Sequence, residues 1–168
     1  FTIGPAAEAE WPWIIRGLIE IAWLRLDPEE RQEASRDDLA ASVSDHVTHL
    51  RADEGFPNQA LVARTADGKP AGFIWLARTH NDSNGELEAS LLSQYVAEAY
   101  RGQGLGHRLL ARAETWAKEQ NLGHISLSVG VRNKLGQQLY RSLGYEVDTL
   151  RMTKDLDPDV EAPRLENV

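Results

Sequence analysis

A mixed α/β fold is predicted by three features of this 168-residue sequence. Apolar residues recur at helical spacing over two early stretches, 8–26 and 36–52. The period then changes: 59–79 reads as two strands around a turn, 86–97 as a third, and 124–129 alternates as a fourth. Between the last two of these strands, "YRGQGLGHRLL" sets Gly102, Gly104 and Gly106 within five positions, immediately before a new helical run. Glycine at that density costs conformational entropy, so the backbone there must turn unusually or be approached closely.

The elements follow in order. "FTIG" reads as a short first strand. Trp11, Ile14, Ile15, Leu18, Ile19 and Ala22 define one helical face, and Asp27-Pro28 closes that run and is expected to cap a turn, because the residue before proline avoids helical geometry. Leu39, Val43, Val47 and Leu50 mark a second helix. "QALVART" and "PAGFIWLART" are strands joined through a turn at Asp67-Gly68. "HNDSNG" is a polar loop, and "ELEASLLSQYVA" is a third, longer strand. Leu105, Leu109, Leu110, Ala113, Trp116 and Ala117 mark the helix after the glycines. "HISLSV" points Ile125, Leu127 and Val129 one way. Asn133 to Leu143 forms a helix with an apolar stripe at Leu135, Leu139 and Leu143, stopped by Gly144. "YEVDTLRMTKDL" is expected to return to strand. Residues 1–156 are expected to form one domain, and the acidic stretch 157–168 to be a loosely ordered tail.

Composition narrows the function. A net charge of −8, from 26 acidic and 18 basic residues, argues against nonspecific nucleic-acid binding, which needs cations to neutralise phosphates. An acidic surface favours cationic substrates, although acidic proteins are common. The absence of cysteine excludes disulfides and thiolate chemistry and fits a reducing compartment such as the cytoplasm. No membrane span is read: "WPWIIRGLIEIAWL" is interrupted by Pro12, Arg16 and Glu20. No His/Asp/Glu spacing suggests a metal site. A start at Phe1 rather than Met reads as part of a longer chain.

A strand that runs through glycines into a helix presents unpaired N–H groups at the positive end of the helix dipole, which suits an anion such as phosphate. A P-loop fails because, counted from Gly104, Leu109 and Leu110 stand where its second glycine and its lysine belong. The dinucleotide fingerprint fails because His107 stands at its last glycine. Arg/Gln-x-x-Gly-x-Gly is met by Arg101, Gly104 and Gly106. A tight strand–helix turn without a ligand is the plain alternative.

The segment from Ser90 to Glu146, with that glycine loop, Asn133, Tyr140 and Gly144-Tyr145 at matching distances, resembles the core of the GNAT superfamily of N-acetyltransferases. Two departures are Gly136, where alanine is frequent, and Tyr145, where phenylalanine is commoner. The resemblance implies a mostly antiparallel mixed sheet flanked by helices, with a splayed strand pair at the cofactor. It implies acetyl-CoA as co-substrate and transfer to a primary amine by direct attack in a ternary complex. The main chains of Gln94, Tyr95 and Val96 would pair with the pantetheine arm, an N–H near Val96 facing the thioester oxygen. The amides of Gly102, Gln103, Gly104, Leu105 and Gly106 would hold the pyrophosphate with help from Arg101, and Asn133 would cap its helix and touch the cofactor.

A lysine-like acceptor is only about 0.04% neutral at pH 7, so a base or desolvation is needed. Glu88 is the candidate base, with Glu86 as fallback and His80 as a minor alternative; an exposed strand-start glutamate is the plain reading of Glu88. Tyr140 is the candidate acid for the leaving thiolate. Trp11, Trp13 and Trp23 border the expected acceptor side, but tryptophans at helical spacing usually pack in a core. A non-catalytic CoA-binding or regulatory module and a nucleotide-binding protein are the competing readings, and a homodimer is left open.

Overall fold

The computed structural model describes residues 1–154 of the chain. Strand β1 (Thr2–Pro5) leads through a 3₁₀ turn (Glu8–Glu10) into helix α1 (Trp11–Arg25). A short helix α2 (Pro28–Glu33) and helix α3 (Arg36–Ala52) follow. Next come β2 (Asn58–Arg64), β3 (Pro70–His80) and β4 (Leu87–Val96), then α4 (Leu105–Glu119), β5 (Ile125–Leu127) and α5 (Lys134–Ser142). The five strands lie in sequence order, β1 to β4 antiparallel and β5 parallel to β4. This is the mixed, mostly antiparallel sheet that the sequence predicts.

Strand alternation sorts the core onto two faces. Leu61, Ile74, Leu76, Ala89 and Leu91 meet Leu105, Leu109, Leu110 and Ala113 of α4. Val62, Phe73 and Trp75 meet Trp11 and Ile14 of α1 and Val47 of α3. Trp11 and Trp75 are thus core residues, packed edge to face at 5.7 Å. Two ordered polar contacts pin the frame. Trp116 Nε1 donates to Gln59 Oε1 at 2.7 Å, tying α4 to β2. Arg64 grips both oxygens of Glu10 at 2.7 and 2.6 Å, joining β2 to the start of α1. Burial alone raises the Glu10 pKa, but the Arg64 guanidinium and the Ala7 amide outweigh it and hold the carboxyl below its usual value.

The cap expected at Asp27 is present and opens a helix: the Asp27 side chain accepts from the amides of Glu29 and Glu30 at 3.0 and 2.9 Å, at the start of α2. Two other expectations need correction. The strand expected from Tyr145 does not form within the described residues: 145–154 carry no strand pairing, and Val147, Leu150 and Met152 are exposed. Residues 155 and 156 and the expected tail lie outside the described residues. In α5, Leu139 and Leu143 pack on the α4 side of the core, but Leu135 is 81% exposed and leaves the stripe. Spacing by four drifts around a helix of 3.6 residues per turn, which carries Leu135 off the buried face.

Candidate active site

Strand β4 changes character at one residue. Leu91 pairs with Leu76 and Ser93 with Trp75, so Leu92 is an extra residue, a bulge. Such an insertion exchanges the faces of all that follows. Ala89 and Leu91, before it, face α4. After it, Gln94 faces α4 and α5, while Tyr95 turns to α1 and stacks on Phe73 at 5.6 Å. Gly17 of α1 admits that ring: a Cβ there would lie 3.1 Å from Tyr95 Cδ1.

The neighbouring strand parts from β4 at the same place. β5 pairs with β4 only over Ala89–Leu91, opposite Ile125–Leu127. From Leu92 onward β4 keeps β3 on one side and, among the described residues, no paired strand on the other. The Ala97 amide donates to Ala71 on the β3 side at 2.9 Å. Alternation then turns the main-chain groups of Tyr95 to β3 and those of Gln94 and Val96 into the gap. Of the three main chains expected at the cofactor, Tyr95's is therefore occupied in the sheet. Arg101 Nε donates to the Val96 carbonyl at 3.0 Å, so this guanidinium braces the strand end rather than standing free.

The gap leads to the glycine turn. Gly102 and Gly104 have φ of 72° and 74°, and a Cβ at either would meet nothing within 4 Å. Their bareness serves the left-handed backbone and leaves open space before it. Among the described residues, the amides of Gly102, Gln103, Gly104, Leu105, Gly106 and His107 have no acceptor; the Arg108 amide is the first to bond, to Gly104 O at 3.2 Å. Six consecutive free N–H groups at a helix N-terminus form a strong anion cradle. Gln103, by contrast, spends its side chain on Ala99 O at 3.1 Å.

Of the ionisable candidates, Tyr140 reaches the gap, and the others stand at the far end of β4. Tyr140, on α5, donates to Gln94 Oε1 at 3.4 Å, which brings it to the open half of β4. Burial pushes its phenol pKa up, and the charge of Arg25 partly offsets that. Asn133 caps α5, accepting from the Gly136 amide at 2.9 Å. Glu88 is only 7% exposed, which removes the exposed-glutamate reading. Its Oε1 accepts from Ser126 Oγ at 2.6 Å and its Oε2 from Asn81 Nδ2 at 2.9 Å, with His124 Nε2 3.9 Å away. It borders a cleft of about 80 Å³ shared with Asn84, Glu86 and Leu87, room for two or three waters. Glu88 stands four residues before the bulge, about 13 Å along the strand. Glu86 is exposed and accepts from Asn84 Nδ2 at 3.2 Å, and His80 is exposed at the end of β3. A larger cavity of about 400 Å³, lined by Trp11, Arg51 and Asn58 among others, lies at the start of β2 and touches none of these residues.

Sequence reasoning missed the side chains of Gln94, Ser126 and Asn81. Ser126 could have been found, since it alternates with Ile125 and Leu127 and so faces away from the core.

The geometry is matched by a family likeness. The sequence profile of the Acetyltransferase (GNAT) family matches residues 16–145. This chain belongs to that family. It is 31% identical over 110 residues to an aminoglycoside N(6')-acetyltransferase type 1 of Serratia marcescens, covering 63% of this chain and 75% of that one. Two further relatives, named only as N-acetyltransferases, are covered over 55% and 36% of their own lengths. A putative acetyl transferase from Pyrococcus furiosus superposes with a TM-score of 0.79 at 24% identity, covering 92% and 99% of the two chains. An aminoglycoside N-acetyltransferase solved in complex with CoA superposes with a TM-score of 0.62 at 19% identity, covering 92% and 98%. The GNAT protein is thus an acetyltransferase whose co-substrate is acetyl-CoA. No described helix is long and apolar enough to cross a membrane. No group of three or more metal-binding side chains occurs among the described residues.

Proposed function

We propose that this GNAT protein transfers the acetyl group of acetyl-CoA to a primary amine by direct attack in a ternary complex. One observation carries the reading: six unpartnered amides continue directly from a strand edge that β5 leaves open. A diphosphate fits the first feature, because each N–H bonded to an anion contributes roughly 1.5–3 kcal/mol. An extended, amide-bearing arm fits the second, because it completes a strand edge as another strand would. When bound, acetyl-CoA supplies an activated acyl group with a thiolate leaving group.

The chain's residues then have distinct tasks. The amides of Gly102 to Gly106 anchor the pyrophosphate, Gln94 and Val96 receive the arm through their main chains, and Arg101 fixes the Val96 carbonyl. The Val96 N–H stabilises negative charge as it builds on the thioester oxygen. Asn133 sets the start of α5 beside the cofactor. Glu88 removes the proton of the incoming ammonium through water, since about 13 Å of strand is too far for direct contact. Ser126 and Asn81 orient its carboxylate. Tyr140 donates to the departing sulfur. An ordinary thiol, with pKa near 8.5, is a stronger acid than a phenol near 10, so full proton transfer is uphill by about 2 kcal/mol. Tyr140 therefore stabilises the thiolate chiefly as a hydrogen-bond donor.

The acceptor class follows from the relatives that act on amines and from the net charge of −8, which concentrates cations. The test is thiol release from acetyl-CoA across polyamines, aminoglycosides, amino acids and peptide N-termini, with wild type and Tyr140→Phe. Amine-dependent release is expected, about 100-fold slower in the variant with CoA affinity preserved. CoA binding without release for any amine would leave a non-catalytic binding module, and wild-type turnover in Tyr140→Phe would remove that residue from the mechanism.

A further inference from the structure

We propose that Gln94 is a positioning residue whose side-chain amide, turned toward α4 and α5 by the Leu92 bulge, orients the Tyr140 hydroxyl and ties it to the first turn of α4. The proposal rests on the reading of Tyr140 as donor to the leaving sulfur. Three features carry it.

The first is the direction of the amide. Gln94 Nε2 donates to the Gly106 carbonyl at 2.9 Å, and a carbonyl accepts only. The nitrogen end of the amide is thereby committed to α4, which leaves Oε1 to face the phenol at 3.4 Å. Oε1 is also an acceptor, so Tyr140 must be the donor. Its proton points toward β4, on the side where the strand edge is open. At 3.4 Å the bond is long, so the hydroxyl is aimed without being held fast.

The second is the space made for it. A Cβ on Gly106 would lie 3.4 Å from Gln94 Nε2 and 3.4 Å from Leu139 Cδ2. Unlike Gly102 and Gly104, this glycine has no positive φ, so its bareness serves close packing of α4 on Gln94 and α5. The third is the bulge. Were Leu92 paired regularly opposite Trp75 instead of bulged, Gln94 would fall opposite Phe73 on the α1 face and could not reach α5.

Around the phenol stand Arg25 of α1, whose charge acts on it, and the Tyr145 ring at 5.9 Å, itself subject to the charge of Glu114 on α4. None of these groups accepts a hydrogen bond from Tyr140 among the described residues, so its orientation depends on Gln94.

The experiment combines Gln94→Met, Tyr140→Phe and the double variant. Turnover and KM for acetyl-CoA are measured with an accepted amine, and the Tyr140 phenol is titrated by carbon NMR in ligand-free protein. Methionine keeps the volume and removes both polar ends. The expected result is a turnover about 10-fold lower in Gln94→Met with KM changed less than 2-fold. That loss should disappear in the Tyr140→Phe background, and the Tyr140 titration should move to lower pH once its acceptor is gone. An undiminished Gln94→Met loss in the Tyr140→Phe background, or an unmoved titration, overturns the proposal. Wild-type turnover in Tyr140→Phe with a shifted titration would sink the acid reading while leaving the Gln94–Tyr140 coupling in place.

Discussion

From Leu87 to Leu91, strand β4 is flanked by β3 throughout and by β5 over its last three residues; from Ser93 to Val96, it has β3 alone. The first half buries Glu88 with both carboxylate oxygens occupied and presses Ala89 and Leu91 into the core. The second half leaves main-chain groups facing a gap that ends at six unpartnered amides. An unpaired edge is ordinarily a hazard, because it invites pairing with another strand. Here its length is a few residues and its far end is closed by Arg101 on the Val96 carbonyl. One strand thus passes from paired frame to open edge, and the changeover takes a single inserted residue. Catalytic candidates lie on either side of that changeover, Glu88 in the rigid half and Tyr140 against the open one, as a two-substrate reaction requires.

The most severe way to break this division is to delete Leu92. Deletion straightens β4 and takes the Leu92 side chain out of the α1-side core, while Gln94 and Tyr95 keep their places opposite Ile74 and Phe73, a packing fault of roughly 3 kcal/mol or more. CoA binding should be abolished and the melting temperature should fall by about 10 °C; a deletion variant that still binds CoA would show that the bulge is incidental. Glu88→Gln probes the rigid half. The amide still offers an acceptor to Ser126 but sets a donor against Asn81 Nδ2, so the melting temperature should fall by about 5 °C. The value of kcat/KM for the amine should fall about 100-fold, and equal kcat/KM in the two proteins would exclude Glu88 as base. Gly104→Ala probes the open half. Its φ of 74° opposes any Cβ by about 1–2 kcal/mol, so the loop relaxes and CoA affinity should weaken about 10-fold by calorimetry. Unaltered affinity would mean that the cradle lies elsewhere.

The smallest effect sharpens the boundary behind Tyr140. The Tyr145 hydroxyl is buried without a partner among the described residues, and burial, with the charges of Glu114 and Tyr140 adding to it, pushes its pKa up to about 12. Tyr145→Phe removes the orphan and should stabilise by about 1 kcal/mol at neutral pH. In the wild type the folded phenol keeps its proton after the unfolded one has lost it. Stability is unaffected by this group below about pH 10 and declines as pH rises from there through about 12. The alkaline fall in melting temperature should therefore be shallower in the phenylalanine variant; parallel curves would mean that the hydroxyl is hydrated.

Much of this was readable from residue order. The continuous apolar run in "PAGFIWLART" and the helical stripe of Leu105, Leu109 and Ala113 are both local patterns, and both elements appear where those patterns placed them. The capped helix α2 was also legible, since Asp27, Pro28 and Glu30 form a capping box, but its six residues are too short for an apolar stripe to announce it. Leu135 and the strand expected after Gly144 misled because apolar residues signal burial only where a partner surface exists.

The sequence by itself determined the glycine turn, the helix it opens, the cap at Asn133 and the family, because local backbone chemistry and motif spacing are properties of a chain segment. Tertiary structure alone decided which way Gln94 points, that β5 leaves β4 at Leu91, and that Glu88 is buried between Asn81 and Ser126. A bulge is defined by the strand opposite, and a carboxylate's partners by the packing of distant segments. Neither is written in the order of residues along β4.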